Sequence, residues 1–273
     1  MSFFRSVMKS VRGIFSLSLP CENPVFSIWE RALFVVRLVV SFCFGGDECL
    51  CCGRKALVIP LCRSCWLTFS AYDFSRRCDM CGKVLVSEIS VCSSCRREPV
   101  IAAVEKVFPL HSYRFWKKTL LFDWKLGGKR VLSFYFASLL ARKIREIESE
   151  HGSCFIVPVP PRPGKIREKG WDQVLELCAF LSLGWNFRVV HLLRRLSRTQ
   201  QKKLGRLGRL GKIGASYALT KRKKLLGLVK KSGGNAIVLD DVITTGATVQ
   251  RCAELLKEAG VGRVFAVSLF IVD

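Results

Sequence analysis

The chain has 273 residues, of which half are apolar, so it can bury a substantial core and is not a globally disordered protein. Its formal net charge of +24 favours anionic partners such as nucleic acid, phosphorylated metabolites or an anionic membrane, with a solvated basic surface as the alternative. Fifteen Lys and Arg residues, and no Asp or Glu, lie between Leu177 and Leu239, so much of this charge is concentrated in the second half of the chain.

Residues 1–48 form an apolar N-terminal leader. Its start resembles a signal peptide only weakly, because Arg12 interrupts the apolar part. The most apolar stretch, 32–44, is short for a membrane span and has Arg37 in its middle. We therefore expect this stretch to form a helix that packs on the protein body or lies on a membrane surface, and not a transmembrane anchor.

Residues 49–97 contain four Cys-x-x-Cys pairs. The eight thiols are Cys49, Cys52, Cys62, Cys65, Cys78, Cys81, Cys92 and Cys95. One such turn can place two thiolates about 2.3 Å from a tetrahedral zinc ion, and two turns complete a closed structural site. The spacing predicts a double zinc ribbon with two structural Zn²⁺ ions. The simplest pairing joins the first pair with the second and the third with the fourth, and Cys51 could substitute for Cys52.

Two other uses of these cysteines fit less well. Disulfides need an oxidising compartment, and nothing in the sequence establishes export. A redox Cys-x-x-Cys is expected as one pair near a βαβ unit, and not as four pairs in a loop-rich segment.

Residues 100–273 alternate between strand and helix patterns. Strands are predicted at 104–115, 154–160, 234–241 and 263–272, and helices at 132–147 and 171–183. This alternation predicts an α/β domain with a mainly parallel, doubly wound sheet, in which ligands bind beyond the carboxyl ends of the strands. The segments 158–173 and 240–248 lie at such ends. The glycine-rich basic stretch 202–216 is interpreted as a mobile loop.

Two aspartates, Asp240 and Asp241, end the strand at 234–241, and a small hydroxylated loop leads from them into a helix. Backbone N–H groups at a helix N-terminus, with threonine hydroxyls, suit a phosphate. The carboxylates would repel that phosphate, so they should face sugar hydroxyls or Mg²⁺ on the same ligand. The pattern favours a phosphorylated sugar. A Rossmann or P-loop interpretation lacks its glycine or lysine motif.

The stretch "IVLDDVITTGAT" resembles the motif with which type I phosphoribosyltransferases bind 5-phosphoribosyl-1-pyrophosphate (PRPP) together with Mg²⁺. The resemblance implies a type I phosphoribosyltransferase-like fold in which Asp240 and Asp241 hold the ribose hydroxyls. It also implies that the loop grips the 5′-phosphate. The loop residues are Thr244, Thr245, Gly246, Ala247 and Thr248.

From about Leu50 to the end, the order of zinc ribbons and transferase-like domain resembles the ComF (competence protein F) family. The segments that carry this resemblance are "FDWKLGGK" (122–129), "VPVPPRPGKIREKGWDQ" (157–173) and "TQQKKLGRLGR" (199–209). The resemblance implies Arg167 and Lys169 as candidates on the pyrophosphate side. Lys169 stands where the family usually has arginine, and lysine lacks the bidentate geometry of arginine. Asp172 stands where the family usually has asparagine.

The family resemblance implies a cytoplasmic protein that binds PRPP or a related phosphosugar and works in DNA uptake. Single-stranded DNA and competence proteins would be its partners, and the N-terminus could add peripheral membrane contact. A base-salvage phosphoribosyltransferase, displacing pyrophosphate at the anomeric carbon, is one alternative. A non-enzymatic zinc-ribbon adaptor that binds single-stranded DNA or protein is another. No catalytic residue is identified, since the three histidines are isolated, so phosphosugar binding is better supported than turnover.

Overall fold

A computed structural model describes most of the chain. The described residues are 47–56, 60–70, 76–113, 117–196, 216–222, 225–227, 229 and 234–272. The leader up to residue 46 and most of the basic loop at 202–216 lie outside them. Among these described ranges, no helix is long and apolar enough to cross a membrane.

The described part of the chain begins with short elements and continues into longer ones. The strands are β1 (Asp47–Glu48), β2 (Lys55–Ala56), β3 (Val107–Ser112), β4 (Cys154–Pro158), β5 (Leu193–Arg195), β6 (Tyr217–Leu219), β7 (Asn235–Ile243) and β8 (Val264–Ile271). The helices are α1 (Arg63–Ser70), α2 (Ser93–Arg97), α3 (Lys117–Lys125), α4 (Leu132–His151), α5 (Lys165–Lys169), α6 (Gln173–Trp185) and α7 (Ala247–Glu258).

The central sheet has four parallel strands in the order β3-β8-β7-β4. Val189 adds a parallel bridge to Ile156 on the outer side of β4. All eight residues of β8 are buried, as expected for a strand covered on both faces. β5 and β6 form a separate antiparallel pair. The mainly parallel α/β sheet is therefore confirmed.

Helices cover both faces of the sheet. Ile237 and Leu239 of β7 share one core with α4 and α6, whereas Ala236 and Val238 share the other core with α7. This division follows the alternation of side chains along a strand. The doubly wound arrangement is thus confirmed, and the side chain of each residue at the end of β7 can be assigned to a face.

The cysteine module lies beside β3 and contacts both faces. Cys49 belongs to the core on the α4 side, where the ring of Trp66 lies 4.5 Å from that of Tyr135. Cys78 belongs to the core on the α7 side. Gly82 packs tightly on β3, because a Cβ atom added to it would lie 2.8 Å from Pro109 Cδ. The two halves of the module are therefore integrated with opposite faces of the domain.

Candidate functional site

The eight paired cysteines form two groups of four, Cys49/Cys52/Cys62/Cys65 and Cys78/Cys81/Cys92/Cys95, with the ligand atoms of each group within 4.8 Å of one another. This is the sequential pairing, which was the simplest arrangement for the sequence although spacing alone does not fix which pairs share a metal ion. A tetrahedral zinc with 2.3 Å bonds requires sulfur atoms about 3.8 Å apart. The Cys52–Cys62 and Cys81–Cys92 distances are 3.6 and 3.8 Å. Both groups therefore fit four-thiolate zinc sites.

Neighbouring donors favour the thiolate form that zinc needs at one cysteine of each group, whereas burial raises the pKa of Cys65, Cys81 and Cys95. Arg54 Nε donates to Cys52 Sγ at 3.3 Å and lowers the pKa of this thiol to about 6. In the second group, the backbone N–H of Cys92 donates to Cys78 Sγ at 3.4 Å. Cys51, which the sequence left as a substitute for Cys52, is outside both groups and exposed.

The two aspartates at the end of β7 face opposite sides of the sheet. Asp240 has the same orientation as Ala236 and Val238 and so points to the α7 side. Asp241 points to the other side, where its Oδ2 atom lies 2.7 Å from Lys125 Nζ. The backbone N–H of Asp241 donates to Asp240 Oδ1 at 2.8 Å. A ligand at this strand end can therefore meet one carboxylate on each side.

The environment of Asp240 disfavours the ionised form of its carboxyl group. Burial, and after it the charge of Asp241, raise the pKa of Asp240 to about 8 from its ordinary 3.8. Lys125 acts in the opposite direction but does not cancel the rise. Perturbed carboxylates of this kind are common at ligand sites, where a bound cation or hydroxyl donor favours the charged form.

Replacing Asp240 with asparagine is expected to stabilise the fold. The folded protein keeps a proton on Asp240 that the unfolded chain releases above pH 4, so this residue makes stability fall as the pH rises from about 4 to about 8. An asparagine side chain does not titrate, and we expect the Asp240→Asn variant to gain several kcal/mol at pH 8. The gain should shrink towards pH 4. Urea denaturation of both proteins at pH 4, 6 and 8 measures it, and a pH-independent difference would contradict the assigned pKa.

Lys125 is a site residue that the sequence did not single out, although the segment 122–129 that contains it was noted. It ends α3, which places its ammonium group against Asp241. Beside this ion pair lies a cavity of about 450 Å³ whose lining includes Tyr113, Phe122 and Val242. The arrangement leaves a largely apolar space next to Asp240 and Asp241, which we call the acidic pair.

The loop after β7 has the form expected of an anion site. Thr244 and Thr245 are exposed, and Gly246 adopts a left-handed conformation with φ +83° immediately before α7. The first N–H groups of a helix have no partner within the helix and point outward from its positive end. Thr245 Oγ1 accepts from the backbone N–H of Ala247 at 3.4 Å. The five loop residues are thus contiguous at the N-terminus of α7, and their role in phosphate binding stays a prediction.

Two further residues reach this loop from the β5–β6 hairpin. The hydroxyl of Tyr217 lies close to the hydroxyl of Thr248. The guanidinium carbon of Arg195 lies 5.4 Å from the centre of the Tyr217 ring. Arg195 therefore adds a positive charge near the loop. In the sequence it was only one of fifteen basic residues in its stretch, with no signal that separated it from the others.

The pyrophosphate-side candidates lie on α5, which follows β4. β4 pairs with β7, and Pro158 is opposite Leu239, so the segment carrying α5 starts beside the acidic pair. Arg167 and Lys169 are both exposed. Their proposed contact with pyrophosphate stays a prediction.

Asp172, where the family usually has asparagine, has a structural use here. Its Oδ1 atom accepts from the backbone N–H of Leu175 at 3.0 Å and caps α6. Its Oδ2 atom lies 2.5 Å from Lys165 Nζ, which also contacts Gln173. Asp172 thus ties the start of α5 to the start of α6.

The fold and the site together define a class: an α/β protein with a type I phosphoribosyltransferase-like domain, preceded by two four-cysteine sites that can hold zinc. No protein-family profile matches the chain. A curated relative, competence protein ComFC of Streptococcus pneumoniae (strain ATCC BAA-255 / R6), is 27% identical over 81% of this chain and 99% of its own length. This similarity and the two four-cysteine sites agree with the resemblance of the chain to the ComF family.

Proposed function

We propose that the chain binds PRPP, or a related phosphosugar, with Mg²⁺ at the carboxyl end of β7. One observation carries the proposal: an acidic pair and a small hydroxylated loop follow each other directly at a strand end, and the loop opens a 12-residue helix. The acidic pair suits the hydroxyls of such a ligand, and the loop suits its phosphate.

The 5′-phosphate would lie on the loop from Thr244 to Thr248. There it would accept hydrogen bonds from the first N–H groups of α7 and from threonine hydroxyls, and it would lie at the positive end of the helix dipole. Arg195, above Tyr217, supplies a further positive charge on this side. The positive charge of Arg195 and the N-terminus of α7 support an anion at this place.

The ribose hydroxyls would be held by Asp240 and Asp241. Carboxylates accept from hydroxyl donors and also suit the Mg²⁺ that a pyrophosphate carries. Asp241 is paired with Lys125, and this pair would have to loosen or rearrange for Asp241 to accept from a hydroxyl. Lys125 would then remain next to a ligand that bears several negative charges.

If the domain transfers the ribosyl group, the bond from the anomeric carbon to pyrophosphate breaks and a new bond to the acceptor forms. Cationic side chains would stabilise the leaving pyrophosphate, and Arg167 and Lys169 on α5 are the candidates. The described residues near the acidic pair offer no general base that the geometry singles out. The proposal is therefore that the domain binds PRPP. Transfer of the ribosyl group to a free base, as in base salvage, would be an additional activity.

DNA uptake is the process in which we propose that the protein works. The support is the similarity to a competence protein and the net charge of +24, which attracts nucleic acid. Single-stranded DNA and other competence proteins are the proposed partners, and the cytoplasm, with peripheral membrane contact through the N-terminus, is the proposed location.

Calorimetric titration of the zinc-loaded protein with PRPP and Mg²⁺ tests the proposal. We expect the wild type to bind, and the Asp240→Asn/Asp241→Asn double variant to lose at least about 100-fold in affinity, because the acids hold the ribose. Glu146→Gln/Glu150→Gln is a matched control: it also removes two carboxylates, but from the end of α4, which leads into the opposite end of the sheet.

A folded wild type that gives no heat with PRPP would overturn the proposal and favour the zinc-ribbon adaptor. Equal affinity of the wild type and the Asp240→Asn/Asp241→Asn variant would show binding elsewhere and would also overturn it. Where binding occurs, release of pyrophosphate with a set of free purines and pyrimidines distinguishes base salvage from binding alone.

A further inference from the structure

The segment 98–106, which we name the linker, joins the second cysteine group to β3 and crosses the start of α7. Ile101 in the linker is 2% exposed. It lies directly against Gly246, because a Cβ atom added to this glycine would be 2.2 Å from Ile101 Cδ1 and 2.5 Å from Cγ1. A linker residue therefore packs against the loop that we propose for phosphate.

The linker is fastened at several points around this contact. The backbone N–H of Ala103 donates to Gln250 Oε1, in the first turn of α7, at 2.8 Å. The backbone N–H of Glu105 donates to the carbonyl of Val264 at the start of β8, also at 2.8 Å. Lys106 Nζ lies 2.7 Å from Asp79, which stands between two cysteines of the second group. These contacts, all on the C-terminal side of Ile101, hold the linker against α7, β8 and the second cysteine group.

We propose that Ile101 is a positioning residue for the phosphate loop, and that the linker makes the cysteine module a structural part of the phosphosugar site. This inference rests on the proposed function, since it concerns how that site is preorganised. It assigns a ligand-binding consequence to a residue that lies outside the transferase motif and touches no part of the ligand.

Gly246 makes the backbone of the phosphate loop adaptable. Glycine reaches φ +83° without a side-chain penalty, but it can also leave that conformation at little cost. The loop binds an anion well only while its N–H groups converge, and ordering them at the moment of binding would reduce affinity. Ile101 fills the space beside Gly246 and so excludes alternative loop conformations that would need that space.

Hydrogen exchange of the loop and titration with PRPP and Mg²⁺ test the inference on the full-length, zinc-loaded protein. For Ile101→Ala we expect amides in residues 244–250 to exchange about tenfold faster and PRPP to bind about tenfold more weakly. Ile101→Val, which keeps Cγ1 but loses Cδ1, should restore both values in part, to between those of Ile101→Ala and the wild type.

Ile144→Ala is the matched control. Ile144 is fully buried on the other face of the sheet, in the core that does not contain the loop. It should lower global stability at least as much as Ile101→Ala while leaving the exchange of 244–250, relative to the rest of the protein, and the PRPP affinity unchanged. A purely structural role for Ile101 would give the two alanine variants the same profile.

The results separate the two proposals. If the wild type does not bind PRPP, the proposed function fails, while loop exchange still decides the role of Ile101. Unchanged exchange at 244–250 in Ile101→Ala would overturn the inference, whether or not PRPP binds. Faster exchange with unchanged PRPP affinity would also overturn it, because the loop would then be ordered by Ile101 without any consequence for the ligand.

Discussion

Removal of zinc by chelation at neutral pH is expected to lower the melting temperature by about 10–20 °C. A structural zinc site contributes several kcal/mol to folding, and 1 kcal/mol corresponds to about 2–4 °C in a domain of this size. The effect should be large because the second cysteine group is part of the main core: Cys78 is 1% exposed and packs with residues of the α7 side. Differential scanning fluorimetry, with metal content measured by mass spectrometry, gives the shift.

Single cysteine variants assign the effect to the two groups. Cys78→Ser should lose one zinc ion and much of the stability that chelation removes. Cys51→Ser is the control: this cysteine is adjacent to Cys52 but exposed and outside both groups. It should keep two zinc ions and the melting temperature of the wild type. An unchanged melting curve after verified metal removal would show that the thiols need no metal to hold the fold.

Replacement of Trp124 by alanine is expected to cost about 3–5 kcal/mol, the usual range for deleting a buried aromatic side chain. Trp124 is 0% exposed, and its ring centre lies 4.9 Å from that of Phe136 and 6.0 Å from that of Trp171. Its Nε1–H donates to Ser133 Oγ at 2.7 Å, and the Ser133 hydroxyl donates to Glu176 Oε2 at 2.8 Å. Both a cavity and a broken hydrogen-bond chain would result.

Denaturant unfolding at constant pH measures this cost. Trp124→Phe keeps much of the packing and loses only the donor, so it should cost clearly less than the alanine variant. A loss below about 1 kcal/mol for Trp124→Ala would mean that the site can collapse around the deletion. Because the next residue, Lys125, is the one that pairs with Asp241, the same substitution should also loosen α3 over the acidic pair.

The parts of the site that could be predicted are those encoded by neighbours in sequence. Each Cys-x-x-Cys turn fixes its own pair of sulfur atoms, so the eight thiols could be identified, whereas the choice of which two turns share a zinc ion needed the fold. Asp240, Asp241 and the following loop are contiguous, so their common position at a strand end follows from the strand pattern alone. The sheet was predictable for the same reason, because the alternation of strands and helices leaves few arrangements.

The parts that could not be predicted depend on tertiary contacts. Lys125, Arg195 and Tyr217 come from a helix and a hairpin remote in sequence from the loop that they approach. The contact between Ala103 and Gln250 spans 147 positions. No local pattern distinguishes these residues from others of the same type. Asp172 illustrates a different difficulty, since a departure from a family pattern has a capping role that only the geometry reveals.

The element boundaries differ from the sequence patterns for identifiable reasons. The helix predicted at 132–147 continues to His151 and ends only at Gly152, which has φ +84°. The apolar pattern did not reveal this last turn because its residues are polar. The helices α1 and α2 begin directly after Cys62 and Cys92 and were not predicted. Both are short, with eight and five residues, so neither has enough turns for a helical periodicity to be recognised.

The packing of Gly82 on Pro109 bears on whether β3 of one molecule can pair with a strand of another molecule. Within the described residues, β3 pairs with β8 alone, so its other side is an open sheet border of the kind onto which foreign strands add. Proline at position 109 offers no N–H for such addition, and Arg77 Nη2 donates to Ser112 Oγ at 3.2 Å across the same border. By covering this edge, the cysteine module disfavours strand pairing between molecules, in addition to its contribution to the core.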